Sequence, residues 1–183
     1  MRRLLALPAA EAARELVGCV LVRRVRGSTL EARIVETEAY LGERDPAAHV
    51  FGGPTPRTAP LYGPPGTVYV YFVYGMHHCL NLAVDAPGTP GCVLIRAAEP
   101  LRGSGLGPLD LRGPGRLCRA LELDTRLSGR SLFERGAPLS LRAGPRPARV
   151  AVSRRVGIRT AGERRLRFYD PASPAVSAGP RLV

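Results

Sequence analysis

The chain has 183 residues, 27 basic and 15 acidic side chains, and a net charge of +12. With 45% hydrophobic residues it is neither disordered nor fibrous, and its length suits one domain that needs no disulfide or metal staple to fold. Every one of the 27 basic residues is an arginine, so chemistry that needs a side-chain amine, such as a Schiff base, is excluded. Met1–Pro8 mimics the start of a signal peptide, but Pro8, Glu11, Arg14 and Glu15 break the apolar run. A loosely ordered tail over 1–8 and an amphipathic helix over Ala9–Val17, ended by Gly18, are the expectation. Cys19–Arg26 and Leu30–Tyr40 read as a strand pair joined by a turn at Gly27–Thr29. Residues 41–67, rich in proline and glycine, read as a long irregular loop, and loops of that length in compact domains are usually functional or disordered. Strands are predicted over Val68–Val73, Cys79–Val84 and Cys92–Ala97, with a turn at Tyr74–His77. Beyond a Gly/Pro/Leu stretch, a helix is predicted over Arg116–Leu123, then short strands at Pro138–Leu141, Arg149–Val152 and Arg164–Tyr169. Residues 171–183 read as a loosely ordered tail. The whole is one α+β domain, mostly antiparallel β with a few helices.

Charge and thiols bound the partners. Residues 1–91 carry a net +1 and residues 92–183 a net +11, so the second half suits a polyanion or an acidic membrane surface. Cys19, Cys79, Cys92 and Cys118 include no C-x-x-C pair, which favours buried thiols in a reducing cytoplasm over a zinc site. No stretch approaches the length of a membrane span.

Four features carry chemistry. Strand periodicity puts Ile34, Glu36, Glu38 and Tyr40 on one face, leading into the loop that holds His49, so a carboxylate, a phenol and an imidazole can converge. That face could equally be solvated. Seven of the ten aromatic residues fall between residues 40 and 74, which suits stacking on a flat ligand as well as core packing. Among them Tyr74 sits on a turn, where a side chain projects outward. Arg96 interrupts the apolar strand Cys92–Ala97 and needs a buried partner, for which Glu38 is a candidate. Gly113-Pro114-Gly115 at a helix start could offer backbone amides to a phosphate.

Together these pieces resemble the alkyladenine (3-methyladenine) DNA glycosylase family shared by vertebrates and bacteria. The resemblance runs in order through Arg33-Ile34-Val35-Glu36-Thr37-Glu38-Ala39-Tyr40-Leu41-Gly42, Ala47-Ala48-His49 and Thr55-Pro56-Arg57. It continues in Pro65-Gly66-Thr67-Val68-Tyr69-Val70-Tyr71, Tyr74-Gly75-Met76, Cys79-Leu80-Asn81 and Val93-Leu94-Ile95-Arg96-Ala97. It ends with Gly113–Cys118, Arg155-Val156-Gly157-Ile158 and Leu166-Arg167-Phe168-Tyr169. It implies a single compact domain on a curved antiparallel sheet, acting as a monomer on damaged double-stranded DNA, with no cofactor and no metal. It further implies that Glu38 activates a water held with Arg96 and the Val156 carbonyl. By the same resemblance, Tyr40, His49 and Tyr71 sandwich a flipped base, Asn81 disfavours guanine, and Tyr74 wedges into the duplex. Arg57, Met76 and His77 are the expected backbone contacts. The lack of lysine adds that the abasic sugar is not attacked by a side-chain amine, so no strand cleavage is expected. Ala175 stands where the family often has tryptophan, which predicts looser packing there. A non-catalytic basic nucleic-acid-binding module and an enzyme acting on a free nucleoside are the competing readings.

Overall fold

The computed structural model describes residues 1–106 and 110–177. Helices α1 (Arg2–Leu5), α2 (Ala9–Leu16) and α3 (Pro114–Ala120) accompany strands β1 (Val20–Val25), β2 (Ser28–Tyr40), β3 (Val68–Val73), β4 (His77–Val84), β5 (Gly91–Pro100), β6 (Leu139–Arg142), β7 (Ala151–Ser153) and β8 (Arg167–Tyr169). The eight strands form one curled sheet in the order β3-β4-β5-β2-β1-β6, with the β7–β8 hairpin joined to β2 through β8. Every strand pair is antiparallel, as expected for an α+β domain of this kind. No helix of the described residues is long and apolar enough to cross a membrane.

The tail expected over 1–8 is instead helical in part: α1 buries Leu5 completely in the main core. An apolar Leu-Leu-Ala-Leu run next to an amphipathic helix gains more by burial than by remaining loose. In α2, Ala9, Ala12, Ala13 and Leu16 form the buried i, i+3, i+4, i+7 stripe. Gly18 follows at φ +98°, where an added Cβ would lie 2.9 Å from the Pro145 carbonyl oxygen, so the chain turns there only as glycine. The tail expected over 171–183 is ordered through Ser177, whose backbone and side chain both bond Glu36; the remainder of that tail lies outside the described residues.

The longest strand, β2, controls the site. Its register against β5 shifts between Ile34 and Glu36 and again between Glu36 and Thr37. Such bulges break strict alternation. Ile34 therefore packs in the main core with the helices, whereas Val35 joins a smaller cluster with Ala97, Ala151, Tyr169 and Val176. Thr37 faces α2 and donates to the Ala13 carbonyl at 2.7 Å. The expected common face of Ile34, Glu36, Glu38 and Tyr40 thus loses Ile34, and what remains of it is not solvated: Glu36 and Glu38 are fully buried. Ala175 packs half-buried against the smaller cluster, beside an open groove of about 250 Å³.

The β3–β4 hairpin supplies the other wall. Its tip, Tyr74-Gly75, has φ of +54° and +66°, and the Met76 amide donates back to the Val73 carbonyl. Positive φ at both central residues is the hairpin turn whose twist matches its strands. Glycine adopts this without strain; tyrosine does not, which makes its presence at the tip an outlier to be explained by function.

Candidate active site

A cleft of about 190 Å³ opens between the end of β2, the 41–67 loop, β3 and the segment after β7. Its walls include Tyr40, His49, Tyr71, Asn81 and Ile158, with Tyr74 at the mouth. The loop is not featureless: it makes single 3-10 turns at Gly42–Arg44 and Ala59–Tyr62. It brings His49 against Tyr71 edge-on, with ring centroids 4.4 Å apart. His49 Nδ1 lies 3.2 Å from the Tyr69 hydroxyl, which fixes the imidazole plane. Burial, reinforced by the Arg57 charge, holds His49 below the usual imidazole value, so it is neutral at pH 7. Arg57 Nε donates to the Tyr69 hydroxyl at 3.3 Å, so this arginine braces the aromatic wall. Asn81 sits at the inner edge beside Cys92, and its Nδ2 is buried with no hydrogen-bond partner among the described residues. Burial pushes the Cys92 thiol up to about 12, so it lines the cleft as an inert neutral group.

Beneath Tyr40 lies Glu38. Its Oε1 accepts from the Val156 amide at 2.7 Å, and its Oε2 accepts from the Tyr40 hydroxyl at 3.1 Å. Arg96 Nη1 stands 3.5 Å from Oε1. The expected partnership of Arg96 with Glu38 is therefore present but secondary, because Arg96 Nε donates to Glu36 at 2.9 Å. The resemblance implies a role for the Val156 carbonyl; the contact that Val156 makes to Glu38 is by its amide. A guanidinium this close favours the ionised carboxylate. Burial outweighs it: the Glu38 pKa is raised, with Arg96, the Val156 amide and the Tyr40 hydroxyl opposing the rise.

Outside the cleft, Tyr74 is 86% exposed on the hairpin tip, with Met76 and His77 also exposed beside it. Thus Tyr40, His49, Tyr71 and Asn81 are brought together, Glu38, Arg96 and Val156 lie directly behind them, and Tyr74, Met76 and His77 project outward. Sequence reasoning missed two further parts. Arg167 shares the Glu36 carboxylate with Arg96, at 2.7 Å, and the buried pair Asp45–Arg155 ties the loop to the segment after β7. The argument applied to Arg96, a cation inside an apolar strand, applies equally to Arg167 between Leu166 and Phe168.

An aromatic slot over a buried carboxylate, with an exposed tyrosine at its mouth, on a chain of charge +12, is the arrangement that the resemblance to the glycosylase family leads one to expect. The comparisons agree. The family model of methylpurine-DNA glycosylase matches residues 3–174. A Methanocella arvoryzae protein, provisionally named 3-methyladenine DNA glycosylase, is 42% identical over 183 residues, covering 93% of this chain and 91% of its own. A Myxococcus xanthus protein with the same provisional name is 46% identical over 180 residues, covering 96% of this chain and 91% of its own. The mouse DNA-3-methyladenine glycosylase is 43% identical over 203 residues, covering 96% of this chain and 60% of its own. The chain belongs to the methylpurine-DNA glycosylase family.

Proposed function

We propose that this enzyme removes alkylated or deaminated purines, of the 3-methyladenine, 7-methylguanine, hypoxanthine and ethenoadenine class, from duplex DNA and so begins base excision repair. The reading has it act as a monomer in the cytoplasm, without a cofactor. The observation that carries it is the burial of Glu38 directly behind the aromatic cleft, held by the Val156 amide and the Tyr40 hydroxyl and faced by Arg96. A purely binding surface has no use for a desolvated carboxylate, whose charge is costly there.

A base within a duplex is out of reach and must be drawn out of the stack. Tyr74 would fill the gap that the base leaves, and Tyr40, His49 and Tyr71 would receive the base. An alkylated purine is electron-poor and often cationic, so it stacks well on tyrosine faces and departs readily. Bond breaking builds positive charge on the sugar; ionised Glu38 would stabilise that charge and take a proton from the attacking water. Arg96 and the Val156 carbonyl are the proposed holders of that water. A carboxylate poised above its ordinary pKa is a better proton acceptor near neutral pH than an exposed one.

The test is incubation with duplex DNA carrying one hypoxanthine or ethenoadenine, followed by alkali. Free base and alkali-dependent strand breaks are expected, with no break before alkali and no borohydride-trapped adduct. Lesion binding without release on several lesions would favour the binding-module reading. Tyr74→Ala is expected to lower both lesion affinity and the release rate by about tenfold or more, since one stacking contact contributes about 1–3 kcal/mol. Equal rates for Tyr74→Ala and wild type in single-turnover release would remove the wedge assignment.

A further inference from the structure

Asp45 and Arg155 form a fully buried pair that the chemistry above does not use. Arg155 Nη1 and Nη2 donate to the two Asp45 oxygens at 2.5 and 3.0 Å, and Nη1 also donates to the Ala39 carbonyl at 3.1 Å. Asp45 in turn accepts from the amides of Leu41 and Ala47, both at 3.2 Å. The pair therefore joins the end of β2, the start of the loop that carries His49, and the segment after β7. A buried ion pair seldom adds much stability over an apolar pair of similar size; what a forked guanidinium adds is direction.

That direction leads to Glu38. The Arg155 guanidinium carbon lies 4.7 Å from the centroid of the Tyr40 ring, and the Tyr40 hydroxyl donates to Glu38 Oε2. The peptide that follows Arg155 is the Val156 amide that donates to Glu38 Oε1. Both groups that donate to the carboxylate thus adjoin Arg155: Tyr40 packs on its side chain, and the Val156 amide is its next peptide. The other titratable groups facing Glu38 are Arg96 of β5, Glu36 of its own strand, Cys79 of β4 and Arg167 of β8, its register partner.

We propose that Arg155, locked by Asp45, is a positioning residue for Glu38: it sets the two hydrogen bonds that hold the carboxylate in its ionised form. The proposal rests on the reading of Glu38 as the base. Hydrogen bonds to the charged form of an acid favour that form, so loosening them raises the pKa of Glu38.

The experiment is the pH dependence of single-turnover release from hypoxanthine-containing duplex, for wild type, Arg155→Lys and Asp45→Asn. Each variant is expected to move the acid limb upward by about one pH unit, the size of one charge-assisted hydrogen bond. Thermal unfolding reports whether each variant is folded. Should the single changes unfold the chain, Asp45→Asn/Arg155→Met removes both charges together, leaves no unpaired buried ion, and carries the same expected shift. An unmoved acid limb in a folded variant, even with a uniformly lower rate, would show a merely structural pair and overturn the proposal. Failure of the underlying reading looks different: Glu38→Gln would keep its turnover, or wild type would have no acid limb at all.

Discussion

Glu38→Gln is expected to cut base release by about a thousandfold or more while lesion binding survives. Two losses combine: general-base catalysis, worth about 10²–10⁴-fold, and the electrostatic stabilisation of a cationic sugar, of similar size. Binding survives because the cleft walls are other residues, and because glutamine keeps an oxygen that can accept from the Val156 amide. Single-turnover release and equilibrium binding on the same lesion duplex separate the two effects. The pH profile adds a second check. Burial raises the pKa of Glu38, so wild-type release falls on the acid side at a higher pH than an exposed glutamate would give. The sign for stability is opposite. A carboxyl whose folded pKa is raised binds its proton more tightly in the folded chain, so its ionised form opposes folding above the unfolded pKa and that penalty eases as pH falls. Glu38→Gln should therefore unfold at a temperature no lower than wild type at pH 7, even as it loses activity. A marked loss of stability together with lost lesion binding would place Glu38 in the structure rather than in the chemistry.

Much of this arrangement was legible in the sequence, and the parts that were not share a cause. The convergence of Tyr40, His49 and Tyr71 follows from a strand that runs into a long loop and from aromatic spacing, both local signals. Tyr74 on its Tyr-Gly turn is equally local, because two-residue hairpins demand positive φ. The burial of Glu36 and Glu38 was not legible: an alternating polar strand looks the same whether its polar face meets water or buried arginines. The departure of Ile34 from that face depends on bulges set by pairing with β5, a contact between residues about sixty positions apart in the chain. Arg155 follows a short strand, Arg167 lies in one and Ser177 in a tail, and the place of each in the fold is set by what it binds. The loop from 41 to 67 read as irregular because its order comes from isolated turns and, at its start, from the Asp45 carboxylate, not from backbone periodicity. Local chemistry could thus be read from the residues, whereas partners across the sheet needed the fold.

Glu36→Ala is expected to destabilise the chain by about 3–5 kcal/mol, the cost of removing one member of a buried ion pair. The Glu36 carboxylate accepts from Arg96 Nε, Arg167 Nε and the Ser177 hydroxyl on Oε1, and from the Ser177 amide on Oε2. Water offers the two guanidinium groups little relief, since Arg167 is fully buried and Arg96 nearly so. For a chain of this size the loss corresponds to a melting temperature lower by about 10 °C, readable by thermal unfolding. Glu36→Gln keeps an acceptor for one arginine and should cost less. The activity of that milder variant carries the sharper information. Arg96 reaches Glu38 through Nη1 while Nε is fixed on Glu36, so the angle of the guanidinium is set at the far end. If that orientation matters, Glu36→Gln lowers the release rate at saturating enzyme, and Arg96→Lys lowers it little further in the double variant. A double-mutant cycle on the release rate measures this coupling directly. Additive losses would mean that Glu36 serves the fold alone and that Arg96 finds Glu38 without it.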